Sequence, residues 1–217
     1  MTITVYVDRV GSWYTPFARD LVTALRKRGH SAALAHRAAD ILEGDLCFLL
    51  SCVRIVGPNL RARNRLNLVV HASALPLGKG FSPLAYQIAA GVDHIPLTMI
   101  EAVDAVDAGP VYMRSTCAFE GHELLPELRE AVAAEIGRMV LAYVDTPNAY
   151  APIPQIGESS WYPRRGRGDD ELDPTRPLAE QFDRLRVVDN DQYPAWFNYL
   201  GHDYEIKITK KVSETTS

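Results

Sequence analysis

From Asp45 to Ser51 the chain is apolar almost without a break, reading Asp-Leu-Cys-Phe-Leu-Leu-Ser. A strand with one wet face alternates polar and apolar residues. A strand covered on both faces has no need to, and such runs mark the centre of a parallel sheet. Ile3 to Val7 and Leu66 to His71 read as buried strands as well, and Ser31 to Ala35 as a shorter one. Between the first two strands, Phe17, Leu21 and Leu25 recur at helical spacing, so one face of that helix packs on the sheet. Thr15-Pro16 predicts the helix start, with a hydroxyl at the N-cap and proline at the first helical position; Gly29 ends it. Strands alternating with helices predict a doubly wound, mostly parallel α/β sheet. At 217 residues this is one large domain, or one domain with a small appendage.

The fourth strand runs into His71 and then into a loop with Ser73, Pro76, Gly78, Lys79, Gly80, Ser82 and Pro83. An ionisable residue at the carboxyl end of a strand, followed by an irregular loop, is where an open α/β sheet places its chemistry. A short helix is expected over Pro83 to Ala90, strands over Leu97 to Glu101 and Val111 to Cys117, and a loop from Ala102 to Gly109 between them. Leu124, Leu128, Val132, Ile136, Met139 and Tyr143 mark the buried stripe of a long helix over Glu123 to Val144. The first turn after a strand, Asp8 to Tyr14, has no Gly-x-Gly-x-x-Gly fingerprint, so a dinucleotide cofactor is not expected. It offers Trp13 and Tyr14 instead, and Trp13 is a candidate wall for a ring-shaped substrate.

Val69 to Pro83 resembles the signature Asn-x-His-x-Ser-x-Leu-Pro-x-x-x-Gly-x-x-Pro of the 10-formyltetrahydrofolate-dependent formyltransferases. Gln87 and Gly91 fit the family's helix after this loop, Thr98 its next strand, and Val106 to Pro110 its Asp-x-Gly-Pro element. The resemblance implies a formyltransferase (Rossmann-like) fold and 10-formyltetrahydrofolate as formyl donor. It implies a catalytic pair, His71 and Asp107, with Ser73 beside them. It also implies donor contacts at Arg54, Ile55, Val56, Glu101, Ala102, Val103 and Asp107. An imidazole suits the proton traffic of such a transfer, because its ordinary pKa lies near neutrality, and a carboxylate can orient it.

The sequence departs from the signature at one position. Val69 stands where the family has an asparagine that donates to the oxyanion, and the nearest asparagine is Asn67. Two residues of strand span about 6.6 Å and four about 13 Å, so Asn67 shares His71's face but lies far from the same oxygen. Loss of one such donor typically costs about 10²–10³ in rate.

Domain boundaries follow from composition. Residues 1–145 form the catalytic domain, the proline-bearing stretch 146–160 reads as a linker, and 161–217 as a small helix and β-hairpin region. The helix is expected at Leu178 to Leu185, and the last strand at Tyr204 to Ile208. The order of an arginine loop, Leu172-Asp173, a helix and an aromatic-Pro hairpin resembles the corresponding region of sugar nucleotide N-formyltransferases and methionyl-tRNA formyltransferases. The Arg164, Arg165, Arg167 cluster reads as a solvated loop, since Asp169, Asp170 and Glu171 follow it at once.

A net charge of −4 argues against a nucleic-acid surface. Three widely spaced cysteines suit reduced thiols in a cytoplasm, and no Cys/His spacing suggests a metal. No run approaches the ~20 apolar residues of a membrane span, and the N-terminus reads as a strand. Methionyl-tRNA is not the expected acceptor. Those enzymes resemble this chain but carry a longer, basic C-terminal domain, whereas about fifty residues follow the linker here. The expected acceptor is a small amine, foremost a nucleotide-linked 4-amino sugar, with Trp13, Lys79 and Tyr193 as candidate contacts. Alternatives are an amino-acid-derived amine such as hydroxyornithine, hydrolysis of the formyl donor, and a non-catalytic folate- or nucleotide-binding homologue. Exposed-looking aromatics in the C-terminal hairpin suggest a homodimer.

Overall fold

A computed structural model describes residues 1–211. The last six residues of the predicted C-terminal region lie outside that range. Six strands form the main sheet. They are β1 (Thr2–Tyr6), β2 (Ser31–Ala35), β3 (Gly44–Leu49), β4 (Asn64–His71), β6 (His94–Glu101) and β7 (Val111–Ala118), in the order β2-β1-β3-β4-β6-β7. The first four run parallel, β6 is antiparallel to β4, and β7 is antiparallel to β6. The mostly parallel α/β sheet expected from the sequence is present.

Helix α1 (Thr15–Lys27) and the long α4 (Leu125–Asp145) cover one face of the sheet. Leu21, Val22 and Leu25 meet Leu128, Val132, Ile136 and Met139 over Ile3, Phe48 and Leu68 in one apolar core. The predicted α4 stripe is buried as read. The start of α1 differs from expectation by one residue. Tyr14 is the N-cap, and the Thr15 hydroxyl donates to the Arg9 carbonyl instead of capping. On the other face, the short helix α2 (Pro58–Arg61) follows the β3 loop, and Leu60 packs with Tyr6, Ile41, Cys47, Val56 and Val69. Cys47 is fully buried, and that burial pushes its thiol up to about 12. All three cysteines are free.

The loop after β4 contains a two-residue strand, β5 (Lys79–Gly80), then helix α3 (Pro83–Ala89). β5 pairs in parallel with β8 (Trp161–Tyr162), so the segment read as a linker leads straight into the predicted active-site loop. Beyond it, the predicted 178–185 helix is a 3₁₀ turn (Leu178–Gln181) followed by α5 (Phe182–Arg186). The hairpin is β9 (Ala195–Tyr199) and β10 (His202–Ile206), its second strand two residues earlier than expected because Leu200-Gly201 makes a tight turn with positive φ at both residues. This region has its own small core of Leu172, Leu185, Val188 and Ala195. It docks through Arg186, whose guanidinium is fully buried and reaches the Glu123 carbonyl and carboxylate, Asp93 and Asp183. No helix among the described residues is long and apolar enough to cross a membrane, and no group of three His, Cys, Asp or Glu there could hold a metal.

Candidate active site

His71 ends β4 at the edge of the 72–83 loop and is buried. Its Nε2 lies 2.8 Å from the Gly78 carbonyl. A carbonyl can only accept, so this contact assigns the hydrogen to Nε2 and leaves Nδ1 facing the other way. Nδ1 is 3.7 Å from Asp107 Oδ2. That is beyond a direct hydrogen bond. Asp107 Oδ2 also accepts from the Gly80 N–H at 2.9 Å. The loop after β4 thus holds both members of the pair, the imidazole at Gly78 and the carboxylate at Gly80.

The loop is itself pinned from several sides. The Thr98 hydroxyl donates to the Ser73 carbonyl, Arg114 to the Leu75 carbonyl, and the Gln87 amide to the Ala72 and Pro83 carbonyls. The glycines are required by close approach. A Cβ on Gly80, which has φ of +95°, would sit 2.4 Å from the Tyr162 carbonyl oxygen. Ser73 is 2% exposed, and its hydroxyl has no hydrogen-bond partner among the described residues. Such a group is costly to bury unused, and it lies in the loop that carries the pair.

Asp107 comes from the opposite direction. Because β6 runs against β4, its exit loop starts beside Asn67, where the Ala102 N–H donates to the Asn67 carbonyl. The turn then climbs to His71 through Asp107 at a φ of +51°, a strained value for a residue with a side chain. Gly109 makes this path feasible, since a Cβ there would fall 1.9 Å from the Glu101 carbonyl oxygen. Gln155 locks the turn, its amide donating to the carbonyls of both Asp107 and Gly109 at 2.9 and 2.8 Å. Ile153 adds a reciprocal backbone pair with Val111.

The predicted donor contacts lie in the loop after β3 and in the stretch from the end of β6 to Asp107. Val56, Val69 and Ala102 pack in one apolar cluster. Asp8 accepts from the N–H groups of Val53 and Arg54 and fixes the backbone of the loop after β3. Arg61 donates to the carbonyls of Val56 and Val103 and pairs with Asp104, tying that loop to the one holding Asp107. The Arg54 and Ile55 side chains are exposed. Glu101 faces elsewhere and accepts from the Tyr112 hydroxyl. Asn67 does not reach toward His71. Its amide donates to the Arg61 carbonyl at the end of α2.

Two predicted acceptor contacts, Trp13 and Tyr193, lie outside the loop after β4. Trp13 is half-buried, packed edge-on against Tyr14 and Phe17, with the Arg129 guanidinium 5.5 Å from its ring. Tyr193 is exposed in the turn before β9 and bonds back to Asp189. Lys79 is on the active-site loop itself. The Arg164–Arg167 cluster is more ordered than a solvated loop. Arg165 pairs with the buried Asp170 and lies over Tyr86, and Arg167 lies over Trp196 and pairs with Asp203. No motif in the sequence marks Asp8, Arg61 or Gln155. Their roles rest on contacts between residues 42 to 48 apart, which no local pattern reveals.

Residues 14–143 match the family described as formyl transferase, and the chain belongs to that family. Among curated relatives, the methionyl-tRNA formyltransferase of Cereibacter sphaeroides is 26% identical over 145 residues, covering 66% of this chain and 47% of the relative. The chain spans about half the length of the curated relatives it matches. Among solved structures, a sugar N-formyltransferase from a Shewanella species shares the fold with a TM-score of 0.70 at 13% identity, each chain covering 99% of the other. HypX from Aquifex aeolicus in complex with tetrahydrofolic acid has a TM-score of 0.78 at 18% identity, over 96% of this chain and 37% of HypX.

Proposed function

We infer that the protein transfers a formyl group from 10-formyltetrahydrofolate to the amine of a small acceptor. The observation that carries this reading is the approach of His71 Nδ1 and Asp107 Oδ2 to 3.7 Å, two groups able to take a proton and held from Gly78 and Gly80. The residues near it suit the donor: a loop at 53–56 whose backbone Asp8 and Arg61 fix, apolar side chains of Val56, Val69 and Ala102, and Arg61 joining the two flanking loops. The donor supplies an electrophilic formyl carbon and a leaving nitrogen. His71 and Asp107 do the rest. The free Nδ1 or the Asp107 carboxylate takes the proton that the attacking amine loses. The resulting imidazolium places an N–H at Nδ1, able to stabilise the developing oxyanion or return the proton to the leaving nitrogen. Nε2 remains on the Gly78 carbonyl throughout, which fixes the ring.

Val69 supplies no donor at the position where the resembled signature has asparagine, and Asn67 is committed to α2. The imidazolium N–H and the unpartnered Ser73 hydroxyl are the groups left for the oxyanion.

For the acceptor we favour a nucleotide-linked 4-amino sugar. A sugar N-formyltransferase shares the fold over the whole chain, and so does a methionyl-tRNA formyltransferase from Clostridium thermocellum. The choice therefore rests on the resemblance of the C-terminal region and the acidic net charge. The curated relatives make methionyl-tRNA the reading to test against it. The test is formyl transfer from 10-formyltetrahydrofolate with nucleotide-linked 4-amino sugars, hydroxyornithine, methionyl-tRNA, or no acceptor, on wild type and His71→Asn. Turnover that requires the amino sugar and vanishes in His71→Asn supports the reading. Turnover with methionyl-tRNA alone, or equal turnover without acceptor, replaces it with the tRNA or hydrolase reading. The exposed Tyr199, Leu200 and Tyr204 of the hairpin fit a homodimer interface, and a monomeric mass in solution scattering would count against one.

A further inference from the structure

The sheet reverses its direction of growth between β1 and β3, with β2 added on one side and β4 on the other. In an open α/β sheet a ligand usually enters beyond the carboxyl ends of two such strands. Here the catalytic pair stands further along, on β4 and the turn after β6, and a side chain of the protein crosses the reversal point instead. Asp8 lies two residues past β1, and its Oδ2 accepts from the N–H groups of Val53 and Arg54 at 2.7 and 2.8 Å. Two successive N–H groups turned onto one oxygen make the kind of backbone concavity that binds anions. A carboxylate fills it with charge-assisted bonds.

The loop after β3 has little else to hold it. Of residues 51–56 only Val56 is buried, and Ile55 is 70% exposed. None of the six makes a backbone–backbone hydrogen bond among the described residues. Ser51, where the chain turns, has a φ of +54°, a strained value for a residue with a side chain. Its hydroxyl lies 3.3 Å from that of Ser12, and the Cys52 thiol 3.5 Å from the Tyr6 carbonyl, both neutral contacts. The charged grips are Asp8 near the start of the loop and Arg61 on the Val56 carbonyl at its end. Arg61 also holds the Val103 carbonyl in the loop that leads to Asp107. Asp8 itself is 5% exposed, and its Oδ1 has no partner among the described residues. A buried carboxylate with one oxygen unused is costly to keep for stability alone.

We propose that Asp8 is a positioning residue for the formyl donor. Its carboxylate is a built-in anion that draws the backbone of the loop after β3 into place, and Arg61 then fixes that loop against the one bearing Asp107. The proposal rests on the formyl-transfer reading, which assigns residues 54–56 to the donor. It places the effect of Asp8 on donor affinity and leaves proton transfer to His71 and Asp107. Without the carboxylate, the two N–H groups are left for a small external carboxylate to bridge.

The test is calorimetric titration of 5-formyltetrahydrofolate into the full chain as wild type, Asp8→Ala and Asp8→Asn. Each is titrated with and without acetate, sodium chloride holding the ionic strength equal. Asp8→Ala should bind about tenfold more weakly, the scale of lost charge-assisted bonds. Acetate should restore most of that loss and leave the wild type unchanged. Asp8→Asn keeps an acceptor oxygen in the same shape and should lose only about threefold. A role in folding alone would lower the melting temperature of Asp8→Ala and leave the affinity of its folded molecules unchanged. If Asp8→Ala melts too early to titrate, Asp8→Asn carries the test. Folate affinity equal to that of the wild type in the variants, or a loss in Asp8→Ala that acetate does not restore, overturns the proposal and leaves the formyl-transfer reading standing. A wild type that does not bind the folate removes that reading, and this proposal with it.

Discussion

The sheet body and the C-terminal region are both ordered, but different forces hold them. In the body, Ile3, Leu46, Phe48, Leu68 and Leu97 are wholly buried among other apolar side chains, and the two long helices α1 and α4 cover one face of the sheet. The C-terminal region has only four fully buried apolar residues in its cluster. It is attached by directional contacts, chiefly the buried Arg186, the Arg129–Asp189 pair, and Lys210 on Glu127. Apolar burial is tolerant of detail, while a buried guanidinium is costly unless every partner is in place. The body therefore supplies stability. The segment leading into the C-terminal region, from Ile153 to Arg165, supplies position, because it braces the loops on which His71 and Asp107 sit.

The largest expected effect lies in the body. His71→Asn should lower turnover by about 10²–10⁴, the usual worth of a positioned acid–base group, with little change in melting temperature or folate affinity. A variant that turns over normally removes His71 from the chemistry.

Arg186→Met should show the contrast in stability. Breaking a buried ion network costs about 3 kcal/mol, read in denaturant titration, and the loss should appear first as early release of the C-terminal region. A single cooperative transition shifted as a whole would mean that the two regions fold as one unit. Gly109→Ala tests position without touching a polar group. Its Cβ cannot coexist with the Glu101 carbonyl, so the Asp107 turn must shift, and displacement on the ångström scale costs about 10² in kcat. Gln155→Ala removes the bracing amide alone and should cost less, about tenfold, with KM for the formyl donor unchanged.

The smallest effect is one of pH. Burial opposes ionisation of Asp189, but the N–H groups of Gln192 and Asp191 and the Arg129 guanidinium outweigh it and hold its carboxyl below the usual range. A folded pKa depressed in this way contributes stability that is full above the unfolded value near 4. It is lost as pH falls through the folded one. Acid should loosen the C-terminal region before the body, and Asp189→Asn should remove that dependence, as amide exchange at pH 3 and 6 would show.

The body was legible because its signals are local. Period-3.6 stripes and unbroken apolar runs located α1, α4, β1, β3 and β4 to within a few residues, and the motif spacing named His71 and Asp107, which the fold brings to 3.7 Å. Residues 146–160 gave no periodicity, and their prolines read as a tether. Their order comes from Gln155, Ile153 and Ser160 meeting residues 42 to 82 positions away. Trp13, in the loop after β1, is half-buried and packs against Tyr14, Phe17 and the Arg129 guanidinium, partners that no local pattern reveals.

The most direct test of the formyl-transfer account is a binding titration of 5-formyltetrahydrofolate into wild type and Asp107→Ala. The account predicts saturable, one-to-one binding by the wild type and weaker binding by Asp107→Ala, because the carboxylate and the loop it anchors at Gly80 border the donor site. Failure of the wild type to bind at millimolar ligand would contradict it and point to a different ligand beside His71.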